Sequence, residues 1–415
     1  MRILLSEGTS TSARQAITAL GLKGHKVEIC DPDPHCLGRL SRFVSRFHRC
    51  PGLGVDPESY FSFVLDLLAS RRFDVLVPIH EQGFLFSALR HRIPQHVGIA
   101  LPSFESYDRV HGKAEFSRLL SELSLPQPKT RIAASGRDLG EVDRFPFVLK
   151  ASIGTASRGT WMVHAPADLQ QAIRELEAGG SLDEPTLVQE LAPGFLEHAQ
   201  AVFSDGRLIG FHAYRQLSRG AGGGDARKES VRRPVVRGHL VELGERLRWH
   251  GALSVDYIVE QDRGIPLYID CNPRLVEPMS AFIAGLDLME LLLRISCGDT
   301  PPVAEESREG VRTHIAMQAL LGSAIEKPSR WRLLGECWRL LFKRGAYSGS
   351  FEELTPVRSD WASVVPTVVT ALWLLVDLNA ALYLPRRGWG SHLLNSASVR
   401  KIRGMSRRHV SDGTV

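Results

Sequence analysis

Apolar positions in residues 1–110 switch repeatedly between short continuous runs and helical spacing. RILL reads as a first strand, followed by a small-residue loop, SEGTSTS. ARQAITALGLKGH has the spacing of a helix ended by Gly24, and KVEIC is a second strand closing at Asp31 and Pro32. Residues 59–70 are again helical, FDVLVPI is a third strand, EQGFLFSALRHRI a helix and VGIALPS a fourth strand. Such alternation predicts a parallel, doubly wound sheet, whose ligands sit beyond the carboxyl ends of its strands. Glu7, Gly8, Thr9, Asp31, His80 and Glu81 then surround one crevice.

Beyond residue 110 the pattern changes. HGKAEFSRLLSELSL (111–125) reads as one amphipathic helix stopped by Pro126. Short strands run from Lys129 to Phe203 around one helix near 166–178, an α+β arrangement. Strands dominate again from 203 to 274, around a Gly- and Arg-rich loop at 215–237. Residues 280–297 read as one apolar helix, and Pro301, Pro302 and Gly310 mark a break. Residues 330–385 read as a helical appendage. Its segment 363–384 is apolar enough to test as a membrane span, but Pro366, Asp377 and Asn379 interrupt it. A mid-span Asp is costly in lipid, so a buried or partner-facing helix is expected and membrane association is not. No internal repeat is visible.

At 415 residues the chain is too long for one ordinary core, and 43% apolar with 23% charged content is globular. Residues 386–408 hold seven Lys or Arg and no acid, more than the whole net charge of +5, so basicity says little about the body. A solvated, frayed terminus is the expectation for that tail. The six cysteines form no CxxC or zinc pattern, and the N-terminal apolar run is too short for a signal peptide. Reduced thiols and a cytoplasmic location follow.

The densest chemistry lies in LSVDYIVEQDRGIPLYIDCNPR (253–274), two strands around a QDRG turn in which Gly264 takes positive φ. A hairpin centred on Arg263 sets Asp256 opposite Asp270, a repulsion that something must neutralise. Asp270, Asn272 and Arg274 share one face by strand alternation. Two carboxylates, an amide oxygen and a guanidinium suit a magnesium ion carrying phosphate. A surface hairpin with two solvated acids is the plainer alternative. FPFVLKASIGTASRGTWMVHA (145–165) is a strand ending in Lys150, a loop with Gly154, Ser157 and Gly159, and a return strand. Such a loop can cradle phosphate, though it lacks the Walker A ending; a flexible turn is the alternative. TLVQELAPG (186–194) is a strand ending in Gln189 and Glu190. The basic stretch 214–238, with Arg215, Arg219 and Gly222–Gly224, is a candidate cradle for a substrate carboxylate and γ-phosphate. It lacks interleaved aromatics, so no nucleic-acid partner is expected.

The order of these pieces resembles the ATP-grasp superfamily, especially its carbamoyl-phosphate-synthase-like and carboxylate–amine ligase branch, over roughly residues 1–300. The resemblance implies an α/β parallel-sheet (pre-ATP-grasp) domain at 1–110 and a two-lobed α+β ATP-grasp fold at 111–300. The latter divides into a lid-bearing lobe (115–195) and a metal-binding lobe (196–300), followed by a helical C-terminal appendage with the basic tail (301–415). Lys113 and Lys150 match the family's phosphate-binding lysines, Gly154–Gly159 its lid, and Glu190 with Leu191 its adenine contact. Glu197 matches the ribose contact, one residue late. Asp256, Asp270 and Asn272 match the ligands of Mg²⁺ (or Mn²⁺), and Arg274 the phosphate-orienting arginine. Asp270 stands where the family usually has Glu. Glu277 stands where a small residue is common, and either touches substrate or caps the next helix. The implied reaction couples a small-molecule carboxylate to an amine at the expense of ATP, through an acyl phosphate. A bicarbonate-using carbamoyl-phosphate- or biotin-carboxylase-like enzyme and an ATP-binding regulatory protein are the alternatives. Dimers are common in the family, which leaves a homodimer open.

Overall fold

The computed structural model describes residues 1–142, 144–154, 159–384 and 392–412, and places their strands in three sheets. The first sheet comprises β1 (Arg2–Leu5), β2 (Lys26–Asp31), β3 (Val44–Arg49) and β4 (Val75–Val77), all parallel in the order β3-β2-β1-β4. Ile3, Leu4, Leu5, Val27, Ile29 and Val75 are wholly buried, as expected for strands covered on both faces. Helix Thr11–Leu22 begins where Ser10 accepts from the Ala13 amide. Helix Pro57–Ser70 has Asp56 as cap and Pro57 in its first turn. Two expectations need correction. Segment 97–103 contributes one bridge, Gly98 to Val75, rather than a fourth strand. The sheet's fourth strand is instead β3, at the opposite edge beside β2, a half-exposed strand whose Arg46, His48 and Arg49 hide its periodicity.

The second sheet, β5 (Thr130–Ala133), β6 (Phe147–Ala151), β7 (Thr160–Val163) and β8 (Thr186–Glu190), is antiparallel in the order β5-β8-β6-β7 and is covered by helix Pro166–Ala178 around its own core. The third has seven strands in the order β13-β12-β9-β10-β11-β14-β15. They are β9 (Gly194–Ser204), β10 (Arg207–Arg219), β11 (Asp225–Val231), β12 (Gly251–Glu260), β13 (Pro266–Asn272), β14 (Arg312–His314) and β15 (Phe351–Glu352). A continuous apolar core containing Leu4, Phe84, Tyr107, Phe203 and Trp249 joins this sheet to the N-terminal unit.

The stretch expected as a loop at 215–237 is mostly β-structure. β10 and β11 pair antiparallel, with register shifts near Ser218, around a short turn at Ala221–Gly223 in which Gly222 takes φ 65°. The single helices expected at 111–125 and 280–297 are each broken. Gly112 separates Phe104–His111 from Lys113–Glu122, and Gly285, at φ 98°, lies between Met279–Ile283 and Leu288–Ser296.

The C-terminal segment is largely helical but also extends the seven-stranded sheet through β14 and β15. Its basic tail is docked rather than frayed. Helix Ser396–Asp412 buries Val399 and Ile402; Lys401 reaches Asp56 and Glu58, each at 3.3 Å, and Arg403 reaches Asp108 at 2.8 Å. No helix among the described residues is long and apolar enough to cross a membrane.

Lys228 of β11 is wholly buried, ion-paired to Glu277 and, at 2.7 Å, to Glu353. Thr11 donates to Glu277 and Gln15 to Glu353, so the cluster ties the N-terminal helix, the sheet and the extension together. Burial opposes the ammonium charge, yet the two carboxylates raise the Lys228 pKa above the ordinary lysine value. Removing the cation would leave two buried acids unpaired. Lys228→Ala is therefore expected to cost about 3–5 kcal/mol, read as a lowered denaturation midpoint.

Candidate functional site

β12 and β13 form the expected hairpin, turning at Gly264 with φ 66°, and Asp256 lies opposite Asp270. The register is not uniform. Tyr257 pairs with Tyr268, so Ile269 is an extra residue in β13, a β-bulge. The Ile269 carbonyl accepts from Lys150 Nζ at 2.8 Å, and the same ammonium donates to Gln189 Oε1 at 2.8 Å. Lys150 thus crosses from the small sheet to the hairpin. Burial pushes its pKa down to about 8, with Asp270 acting in the opposite direction.

Lys113 sits in the first turn of its helix because Gly112 remains extended, which also lets the Lys113 amide donate to the Ser152 carbonyl at 2.9 Å. Its ammonium donates to the Gly154 carbonyl and lies 3.6 Å from Asp270 Oδ2. Arg274 donates to Asn272 Oδ1 at 3.1 Å. Lys113, Gly154, Asp270, Asn272 and Arg274 line one cleft, whose remaining wall includes His80, Glu81, Tyr107 and His111. Glu190 and Leu191 are exposed where β8 runs into β9, with Lys129 Nζ 3.3 Å from Glu190. Gly159 has φ 73°, and Ser157 lies outside the described residues.

Three sequence candidates, Glu197, Arg215 and Arg219, stand elsewhere. Glu197 is fully buried, accepts from Arg215 at 2.9 Å and from both Nε and Nη2 of Arg233 at 2.6 Å, and lies 3.3 Å from the Tyr257 hydroxyl. It pairs in register with Tyr257 and Arg215, one residue out of phase with the His198–Asp256 pair. Alternation therefore puts Glu197 and Arg215 on the sheet face opposite the facing acids, where they pair with each other. Arg219 ends β10 in register with Asp225.

His198 and Asp225 were not anticipated. His198 Nδ1 is 2.7 Å from Asp256 Oδ1 and Nε2 is 3.6 Å from Asp225 Oδ2. Burial alone would depress the imidazole pKa, but Asp225 and Asp256 together lift it well above the ordinary value. Only the adjacency of β9 to β12 could have exposed this role, and no local signal encodes it. In the N-terminal crevice, Gly8 and Thr9 donate to Asp31, while Thr9 and Ser10 donate to Glu7. Burial, followed by the nearby Asp31 charge, raises the Glu7 pKa to about 7.

Among the described residues, no group of three or more His, Cys, Asp or Glu side chains is arranged to hold a metal. Magnesium does not require one, because it keeps water and phosphate and uses one or two carboxylates. Asp256 and Asp270, partly exposed and facing each other, with Asn272 beside them, fit that donor set.

The architecture is the ATP-grasp fold. A structure of N5-carboxyaminoimidazole synthetase from Staphylococcus aureus complexed with ADP superposes with a TM-score of 0.60 at 13% identity, covering 77% of this chain and 84% of that one. The biotin carboxylase domain of Hydrogenobacter thermophilus 2-oxoglutarate carboxylase, in complex with MgADP, ADP and bicarbonate, gives 0.57 at 15% identity, covering 75% and 73%. In sequence the chain is similar to the carbamoyl phosphate synthase large chains of Rubrobacter xylanophilus and Pyrococcus furiosus, each 25% identical. The matches span 209 and 246 residues, 47% and 55% of this chain, but only 20% and 22% of the relatives' own length. No family model matches. The chain thus has the ATP-grasp fold and is similar in sequence to about a fifth of these large chains.

With a Lys150 pKa of about 8, the positive charge is present below that pH and lost above it. Titration with ADP is expected to show affinity falling by up to about tenfold between pH 7 and pH 9. Lys150→Met should bind weakly and without that pH step.

Proposed function

We propose that this chain is an ATP-dependent carboxylate–amine ligase that works through an acyl phosphate. The observation that carries the reading is the pair of facing carboxylates, Asp256 and Asp270, on a hairpin that Lys150 reaches and whose Asp270 lines a cleft together with Lys113 and Arg274. The relatives' names point the same way, since carbamoyl phosphate synthase and N5-carboxyaminoimidazole synthetase both join carbon to nitrogen.

The chemical difficulty is that a carboxylate must attack a phosphoryl group that is itself anionic. Lys113 and Lys150 would hold the nucleotide's phosphate oxygens, and the Arg274 fork would align the γ-phosphoryl group with the incoming acid. Bound magnesium, held by Asp256, Asp270 and Asn272, would supply positive charge between the phosphates. Glu190, with the backbone at Leu191, would receive adenine where the two sheets join. The Gly154–Gly159 loop, including Ser157, would cover the phosphates and exclude water, which otherwise hydrolyses acyl phosphates. His198, pinned between Asp225 and Asp256, would hold the Asp256 carboxylate in place. No side-chain nucleophile is required. Six free thiols suit a reducing compartment, and we place the enzyme in the cytoplasm. A homodimer would match the habit of the superfamily.

A bicarbonate-using reaction is the second reading, favoured by the carbamoyl phosphate synthase relatives. One assay separates the two. Candidate acids, bicarbonate among them, are offered with Mg-ATP, and phosphate release and hydroxamate formed with hydroxylamine are followed. A carboxylic acid that yields hydroxamate supports the ligase; phosphate release stimulated by bicarbonate alone supports the second reading. Asp270→Asn is expected to lower either signal at least about a hundredfold. An unchanged rate would refute the metal assignment, and nucleotide binding without turnover on any acid would leave a regulatory protein.

A further inference from the structure

The outer face of the C-terminal extension takes no part in the proposed reaction. Helix Arg330–Leu341 buries Leu333 alone and leaves Trp331, Leu334, Trp338 and Leu341 exposed, a stripe at helical spacing. Helix Val364–Val376 likewise buries Leu374 alone and exposes Val365, Val368, Val369, Leu372 and Val376. Trp331, Leu341 and Val376 are 84%, 77% and 78% exposed. Large apolar side chains left this open are not ordinary surface scatter, because each turn of both helices contributes one.

The two stripes belong to one surface. Both helices pack on helix Ala316–Glu326 and touch each other. Arg330, at the start of one, donates to the carbonyls of Leu375 and Val376 at the end of the other, at 2.8 and 3.0 Å. Trp331 and Val376 flank that junction.

Charge selects among partners. Residues 326–344 contain six Lys or Arg against two Glu. Lys327, Arg332, Lys343 and Arg344 are exposed and make no ion pair among the described residues. The basic tail does not share this freedom, because Arg400, Lys401 and Arg403 are already paired to acids of the body. A second copy of the chain docked here by a twofold axis would bring one basic rim against another, which opposes association. Trp suits the boundary between an apolar medium and water, where its ring and its N–H are both satisfied. A basic-rimmed apolar face carrying Trp matches the headgroup region of an anionic bilayer.

We infer that the protein sits on anionic lipid surfaces through this two-helix face, as a peripheral protein. It lies on the bilayer and does not span it, in keeping with the absence of a spanning helix among the described residues. This inference departs from the expectation of no membrane association and is independent of the catalytic reading.

Flotation of the full chain with two vesicle types tests this. One is phosphatidylcholine alone; the other is phosphatidylcholine mixed with phosphatidylglycerol. The protein should float with the mixed vesicles, less so with phosphatidylcholine alone, and progressively less as salt is added. Trp331→Glu with Leu372→Glu should abolish flotation. Arg332→Ser with Lys343→Ser should weaken it about fivefold for each cation removed, and both pairs should keep the wild-type circular dichroism melt. No flotation with either vesicle overturns the inference, as does flotation untouched by the glutamates. A dimer in sedimentation velocity that the glutamates dissociate, without flotation, assigns the face to a second copy and equally overturns it.

Discussion

Two carboxylates that face each other across one hairpin organise the working centre of this molecule. Like charges facing each other across a strand pair are unfavourable, and the fold brings three basic side chains to them from three elements. His198 comes from the neighbouring strand β9, Lys113 from the first turn of a helix, and Lys150 from the small sheet. The two lysines meet the hairpin where the backbone departs from regularity: at the break at Gly112 and at the bulge at Ile269 that frees a carbonyl for Lys150. The irregular positions are thus the ones that assemble the charges, which agrees with the general placement of bulges beside functional sites.

The same seven-stranded sheet carries a second charge system on its other face. Glu197, Arg215 and Arg233 satisfy one another there, with Tyr257 beside them. Adjacent residues 197 and 198 therefore serve different ends: one neutralises its neighbours in a buried cluster, the other attends the facing acids. The alternation of a strand is enough to separate them. Lys228 forms a third closed system with Glu277 and Glu353, so Glu277 neither caps its helix nor stands free for substrate. Much of the positive charge in 214–238 is consumed in this way, leaving a less basic surface than composition suggests.

Those clusters also mark what the sequence could and could not convey. The pairing of Asp256 with Asp270 was legible because turn and strands lie within one short segment, and Gly264 announced the reversal. The first three buried strands of the parallel sheet apart from β3 were legible for a similar reason: Leu5, Ile29 and Val77 sit in uninterrupted apolar runs. β3 was hidden because an edge strand can afford polar side chains on both faces. The β10–β11 hairpin was hidden because glycine and arginine are read as loop residues, whereas here they occupy a ladder closed by a three-residue turn. The roles of His198, Asp225 and Glu197 depend on which strands are neighbours, and strand order in a sheet of order β13-β12-β9-β10-β11 is a property of the whole chain.

The final helix has a mechanical consequence. Besides its ties to the N-terminal unit, Arg400 is paired to Glu184, and the Ser396 and Ser181 hydroxyls lie 3.1 Å apart. Glu184 and Ser181 belong to the small sheet's lobe, so this helix clasps that lobe to the body of the protein. Any swing of the lobe away from the large sheet must part these contacts. Because the clasp includes the solvent-reached Arg400–Glu184 pair, ionic strength weakens it, and the ease of that swing inherits a salt dependence distinct from any owed to the nucleotide.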